Sequence, residues 1–433
     1  MFKTLTDAFK IKEVRNKLLL TLLLLLIYRL GCWIPVPGVV GTEFAEGQTF
    51  LNLLNSLSGG ALSQGTFLAL GVSPYITSSI IIQLLAVVIP SWENLRNEGA
   101  DGRKKIEKYT KIAALIIATA QALGIVIGLN SSGYIDHKYF GSVPDGVAIS
   151  FVVLMLVAGA MFTVWLGEKI TEIGIGNGMS LLIFVGILSS AGTALLDCFK
   201  NITAGGDVAV RAIWQLILFL VVMVVIFGLV VFVDGAERKV PVQYAKQIKG
   251  RKMYGGQSTY IPIRVNANGV MPIIFASSIL TFPQLLCSIF DADASWGFTK
   301  WWNNWVGSGT WIYTILMGLL ILAFAYFYSM INFNTQDISR QVQQNGGFIP
   351  GIRPGKPTAD YLGTISKRIT LFGAIFLGVM AIVPTFIFKA IGTTGLTSAF
   401  SATAILIVVS VALEFDKQLE AQMLMRNYRG FLK

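Results

Sequence analysis

Few side chains in this 433-residue sequence have the types and spacing of a catalyst. His137 is the only imidazole. Cys32, Cys198 and Cys287 lie far apart, without metal-ligand spacing, and read as free thiols that are packed or lipid-facing. Gly355-Lys356 has the Gly-Lys pair of a phosphate loop, but Pro350 stands where that loop needs its first Gly and Pro357 where it needs Ser or Thr. Gly174-x-Gly176-x-Gly178 follows a predicted helix and lacks the preceding strand of a dinucleotide site. A zinc-protease helix motif, a paired-Cys motif and an intramembrane Ser/His pair are all missing. The expectation is a protein that is not an enzyme and holds no metal and no cofactor.

The elements that position everything else are apolar runs. The chain is 54% hydrophobic and 13% charged, against roughly 25% charged in a soluble domain. The excess comes in runs near 20 residues, the length that spans about 30 Å of hydrocarbon. Ten spans are expected, at Leu18–Ile34, Phe67–Ile89, Lys111–Leu129, Val147–Gly167, Met179–Cys198, Ile213–Val233, Val270–Phe290, Trp311–Ile331, Ile369–Ile391 and Ser398–Phe415. Backbone groups in lipid must bond internally, so these are helices. The first is followed by Ile34-Pro35-Val36-Pro37-Gly38 rather than by small-residue cleavage chemistry, and so is not read as a cleaved signal. With the N-terminus inside, 28 of the 34 Lys and Arg fall in inside segments, five in outside loops and one, Arg29, within a span. That asymmetry fixes the orientation and makes the net charge of +11 mostly topological rather than a nucleic-acid signal. Trp301, Trp302, Trp305 and Trp311 cluster at an outer face as an aromatic belt would.

A coupled transporter or proton pump needs ionisable groups near mid-bilayer. Arg29 lies near the outer end of its span, where it is expected to snorkel. The midplane candidates on spans 2, 5, 7 and 10 are Val, Ile, Met, Ser and Thr, which suits a hydrophobic constriction better. Three further features stand out. Phe50, Leu53, Leu54 and Leu57 make one apolar face of a short helix that Gly59-Gly60 would stop, either an interfacial helix or a movable stopper. Gly71-Val72-Ser73-Pro74 opens span 2 and Gly269-Val270-Met271-Pro272 opens span 7, each followed by Ser-Ser-Ile. Pro-bearing spans at matching places in two inverted halves point to a central pathway at their interface. Finally, two long basic loops differ in kind. Asp234–Asn266 has β-prone stretches Val240–Tyr244 and Thr259–Val265 around a basic turn, which predicts a hairpin. Asn332–Arg368 holds Gly346-Gly347-Phe348-Ile349-Pro350-Gly351-Ile352-Arg353-Pro354-Gly355-Lys356-Pro357, a shaped loop around one Arg.

These motifs together resemble the SecY/Sec61α family of protein-translocation channels. They are Arg29-x-Gly31 with Ile34-Pro35-x-Pro37-Gly38; Ser58-Gly59-Gly60-Ala61-Leu62; Pro74-Tyr75-Ile76 with Ser79-Ile80-Ile81-Ile82-Gln83-Leu84; Glu98-Gly99-x-x-Gly102-Arg103; Trp165-Leu166-Gly167-Glu168; Gly174-Ile175-Gly176-Asn177-Gly178; and Pro350-Gly351-Ile352-Arg353-Pro354-Gly355. The resemblance implies an all-α polytopic membrane protein, with ten transmembrane helices in two inverted halves of five around an hourglass channel. The halves would be residues 18–200 and 201–415, flanked by cytoplasmic tails 1–17 and 416–433, with basic cytoplasmic loops at 234–266 and 332–368. It implies an apolar pore ring of Val72, Ile76, Met179, Ile183, Ile274 and Ile407, in which Met179 departs from the usual β-branched residue.

It also implies a plug helix at about residues 50–62, centred on Asn52, Leu53, Leu54, Asn55, Ser56, Leu57, Ser58, Gly59 and Gly60. A lateral gate would carry Thr77, Ser78, Ser277, Ser278 and Phe282. Lys246, Lys249, Arg251, Lys252, Arg353 and Lys356 would dock the SecA motor or the ribosome. Implied partners are the small membrane subunits SecE and SecG, SecA, the ribosome, membrane lipids and signal-bearing polypeptides, at the bacterial cytoplasmic membrane.

Overall fold

The computed structural model describes residues 2–39, 55, 58–131, 134–136, 139, 144–203, 206–244, 247–249, 252–254, 258–266, 269, 271–290, 297–307, 310–391 and 402–430. The helices are α1 (Phe2–Lys10), α2 (Lys12–Gly31), α3 (Ser73–Val88), α4 (Pro90–Asn97), α5 (Ala100–Ser131), α6 (Asp145–Ile173), α7 (Gly178–Thr203) and α8 (Gly206–Gly235). After four strands come α9 (Met271–Phe290), α10 (Gly297–Trp301), α11 (Trp311–Asn332), α12 (Thr335–Gln344), α13 (Lys356–Ile391) and α14 (Ala402–Gly430). A helix lies under each of the ten expected apolar runs. Among the described residues, five stretches are long and apolar enough to cross a membrane: Asp101–Asn130, Asp145–Ile173, Ile213–Gly235, Trp311–Gln344 and Lys356–Pro384. Large apolar side chains point outward along them; Val224 is 71% and Phe232 76% exposed. A soluble fold would pay for such a surface in water, whereas lipid accepts it.

Several boundaries differ from the sequence expectation. The second apolar run is helical only from Ser73. Residues 58–72 run instead as successive turns, with Leu62, Leu68, Ala69 and Leu70 each about 2% exposed or less. Gly71 adopts φ +54° and Pro74 sits in the first turn of α3, so together they set the helix start. Sixteen residues reach about 24 Å, short of a full span. The opposite holds at α13, which begins at Lys356, well before the apolar run, and at α14, which runs on into the C-terminal tail.

The expected hairpin is present. Strand β1 (Glu237–Tyr244) pairs antiparallel with β4 (Ser258–Arg264), and β2 (Gln247–Lys249) with β3 (Lys252–Tyr254) at its tip. The other long loop adds β5 (Gly347–Phe348) to the free edge of β1, giving the order β4-β1-β5. Val240, Val242 and Ile263 from the first loop share a small core with Val342, Ile349 and Leu362 from the second. The two loops are therefore one folded unit.

Candidate functional site

The residues expected at the waist lie on four helices. Val72 caps α3, Ile76 is one turn on, Ile183 lies on α7, Ile274 on α9 and Ile407 on α14. Val72, Ile183 and Ile407 are buried in one apolar cluster, and Ile76, Met179 and Ile274 pack against it. The six come from four helices, two from each half of the chain, and none is ionisable; α3 touches α9 and α7 packs on α14. Met179 approaches from the side. A Cβ added to Gly167 of α6 would sit 2.5 Å from its Sδ, so the thioether lies against α6.

The turn between α6 and α7 fixes that approach. Asn177 Oδ1 accepts from the backbone N–H of Met179 (3.1 Å) and of Ser180 (3.4 Å), capping α7. A Cβ on Gly178 would stand 1.9 Å from the Gly167 carbonyl oxygen, which leaves room for glycine alone. The triple-glycine motif is therefore a helix-packing device. Its first glycine is crossed by α2, where Thr21 Oγ1 accepts from Ile175 N–H at 3.1 Å.

Beside the cluster, the segment after the expected short helix is seated on α2 and α7. Gly60 N–H donates to the Asn55 carbonyl at 2.8 Å while Gly59 adopts φ +71°, the hydrogen bond and left-handed turn of a helix C-terminus. Asn55 Oδ1 also accepts from Ser63 N–H at 2.9 Å. Asn52, Leu53, Leu54, Ser56 and Leu57 lie outside the described residues. Arg29 does not snorkel outward. Its Nη1 donates to the Gly59 carbonyl at 3.0 Å, because that carbonyl is a strong acceptor in an apolar setting. Cys32 Sγ makes a weaker contact of 3.8 Å to the Ser58 carbonyl. A Cβ on Gly59 would come within 3.0 Å of the Gly186 carbonyl oxygen on α7.

Helices α3 and α9 touch, and both pack on α5. Thr77 donates to the Ser73 carbonyl (3.1 Å) and Ser277 to the Ile274 carbonyl (2.8 Å), each within its own helix. Ser78 is fully buried and donates to the Thr110 carbonyl of α5 at 2.6 Å, so it faces α5. Ser278 is half-buried on α9. The Phe282 side chain lies outside the described residues, as do Lys246 and Arg251. Sequence reasoning missed Tyr328 of α11, whose hydroxyl donates to Gln83 Oε1 of α3. It also missed Asp234 at the end of α8, which accepts from Asn266 Nδ2 at 2.6 Å and from Ser410 Oγ of α14 at 3.1 Å. No local pattern could have revealed pairs so distant in sequence.

In the β2–β3 hairpin, Lys249 and Lys252 are backbone partners in the strand register. Arg353 and Lys356 are exposed. Gly351 (φ +82°) and Gly355 (φ +95°) turn the chain on either side of Arg353. Its carbonyl accepts from Thr358 Oγ1 at 2.9 Å, and Ser339 Oγ donates to the Gly355 carbonyl at 2.7 Å. The backbone is held while the Arg353 side chain is exposed.

A family model described as SecY matches residues 66–415. The chain is 41% identical to the protein translocase subunit SecY of Mycobacterium bovis and 43% identical to that of Streptomyces lividans, in each case over 100% of both chains. Among solved structures, a protein-conducting channel superposes with a TM-score of 0.69 at 19% identity, covering 94% of this chain and 92% of that one. Sec61 in the canine ribosome-channel complex superposes with a TM-score of 0.63 at 18% identity over the same shares. With full-length identity above 40%, a family match through the core and a shared helical fold, the chain belongs to the SecY family.

Proposed function

We propose that this protein is the channel by which unfolded secretory polypeptides cross the bacterial cytoplasmic membrane and from which transmembrane segments leave sideways into lipid. The observation that carries this is that Val72, Ile183 and Ile407 belong to one continuous apolar core shared by both halves of the chain, with Ile76 and Ile274 packed against it. A moving polypeptide varies in polarity from residue to residue. A ring offering specific hydrogen bonds would hold some segments fast, whereas an apolar waist dewets, blocks ions at rest and binds nothing tightly. Met179 contributes from the edge of this ring. The helix at about residues 50–62 is the plug, seated through Ser58–Gly60 on α2 and α7. Ten helices cross the bilayer in two inverted halves, with both termini and the β-sheet unit in the cytoplasm, as the Lys/Arg asymmetry requires.

Helices α3 and α9 form the lateral gate, with Thr77 and Ser277 along its seam and Phe282 opposite Thr77. Ser78 stiffens its wall through α5. The hairpin tip at Lys246–Lys252 and the loop at Arg353–Lys356 dock the SecA motor or the ribosome. The chain assembles with SecE and SecG and supplies no energy itself. The motor's ATP, the proton motive force or translation drives movement.

The test is reconstitution of the complex in vesicles with SecA and a preprotein. ATP-dependent uptake is expected. The double variant Ile76→Ser with Ile274→Ser should raise ion leak at rest. Absence of uptake by the wild-type complex would refute the function; a conductance unchanged in the double variant would place the waist elsewhere.

A further inference from the structure

One side chain holds both walls of the seam between α3 and α9. Tyr328 lies on α11 and is 6% exposed. Its ring packs on Phe275 of α9, centroids 4.8 Å apart at 50°. Phe275 also meets Phe324, one turn earlier on α11, edge-on at 5.8 Å. The Tyr328 hydroxyl crosses to α3 and donates to Gln83 Oε1. The amide is oriented for this, since Gln83 Nε2 donates to Ser79 Oγ at 3.0 Å, one turn back on α3. Tyr328 is therefore anchored by apolar contact to one wall and by a hydrogen bond to the other.

We propose that Gln83 and Tyr328 form a latch that sets how apolar a segment must be to enter between α3 and α9. The proposal rests on reading these two helices as the lateral gate. A segment entering the seam brings apolar surface but no replacement for the Tyr328–Gln83 bond. Gln83 is exposed on α3, so separation of the walls costs mainly through the buried Tyr328 hydroxyl, which loses its acceptor. The entering helix must offset that cost with the apolar area it transfers from water to lipid. A strongly apolar signal does so with surplus and is insensitive to the latch. A weak signal does not, and its export is limited by the bond. The pair is thus a determinant of specificity rather than part of the conduction path.

Tyr328→Phe removes the hydroxyl and keeps the ring on Phe275. Gln83→Met keeps chain length and removes the acceptor. Both are to be measured in the full complex with two reporters, one carrying an intact signal and one a signal shortened by two leucines. Each variant should raise export of the shortened-signal reporter by roughly 2- to 12-fold, the equivalent of one net hydrogen bond. The intact-signal reporter should be unchanged. The double variant should match either single one, because both remove the same bond.

A parallel chain with Cys32, Cys198 and Cys287 replaced by alanine carries Thr77→Cys and Phe282→Cys. Disulfide closure of that pair blocking export establishes the gate independently, and export continuing after closure would overturn the gate and the latch with it. Blocked export in the disulfide chain, together with unchanged weak-signal export in both single variants, would overturn the latch alone. So would multiplicative effects in the double variant, which would mark two independent packing changes.

Discussion

Arg29→Met tests the seating of the plug. The guanidinium of Arg29 donates to the Gly59 carbonyl at 3.0 Å, from a part-buried position at the end of the apolar run of α2. A hydrogen bond from a charged donor contributes about 1.5–3 kcal/mol net. At 1.4 kcal/mol per factor of ten, its loss shifts the balance from seated to displaced plug by roughly 10- to 150-fold. Methionine retains most of the side-chain volume, so the packing of α2 on α7 is preserved. The assay is ion flux through the resting complex in vesicles, read as open probability in single-channel records. Arg29→Met should raise it within that range, and Arg29→Lys, which keeps a charged donor, should fall between the two. The decisive comparison is a background lacking residues 52–62. With no plug to hold, Arg29→Met should there have no further effect. A wild-type leak in Arg29→Met, or an equal increment in the deleted background, would refute the role given to this bond.

Three other outcomes are expected. A cysteine at Thr259, exposed on β4, should resist a membrane-impermeant thiol reagent added outside intact cells, and labelling at the rate of an outer-loop control would reverse the topology. Arg353→Lys should impair SecA-dependent transport and Arg353→Glu nearly abolish it with normal membrane insertion, since lysine keeps the charge but loses the planar fork; wild-type export by Arg353→Glu would remove the docking role. Gly178→Ala should destabilise the fold by roughly 1–3 kcal/mol, seen as a lower unfolding temperature in detergent, because its Cβ would stand 1.9 Å from the Gly167 carbonyl oxygen; an unchanged temperature would mean that α6 and α7 separate freely.

Much of this molecule is legible along the chain because its physics is local. Runs of apolar residues announce α2, α3, α5 to α9, α11, α13 and α14, and Pro74 and Gly71 announce where α3 starts, although the full length of that run reads as helix and only Ser73–Val88 is. Gly59-Gly60 announces a helix end and takes the left-handed turn expected of it. The six waist residues stand out only through motif resemblance, and the apolar core they share is built by helix packing that no single segment encodes. Arg29 reads as a snorkelling cation until the Gly59 carbonyl is placed beside it. Tyr328 and Gln83 are 245 residues apart, and each alone is an ordinary polar residue on an apolar helix. Phe348 sits in a run of Gly and Pro that signals a turn, so its pairing with Gln243 is set by the partner strand and leaves no local trace.

That pairing has a consequence for the order in which the molecule is made. Strand β1 is complete once the first loop has left the ribosome, but its second edge, at Gln243 and Tyr244, waits for Gly347 and Phe348, about 100 residues later. At 5–20 residues per second the edge stays open for roughly 5–20 seconds. Helices α9 and α11 are synthesised in that interval, and they must be in place before the second loop can return to close the sheet. The three-stranded unit is thus absent from a half-made chain and can form only after α9 and α11 have been made. A partner that recognises the finished sheet would pass over chains not yet extended beyond Phe348 and engage those in which α9 and α11 have already been made.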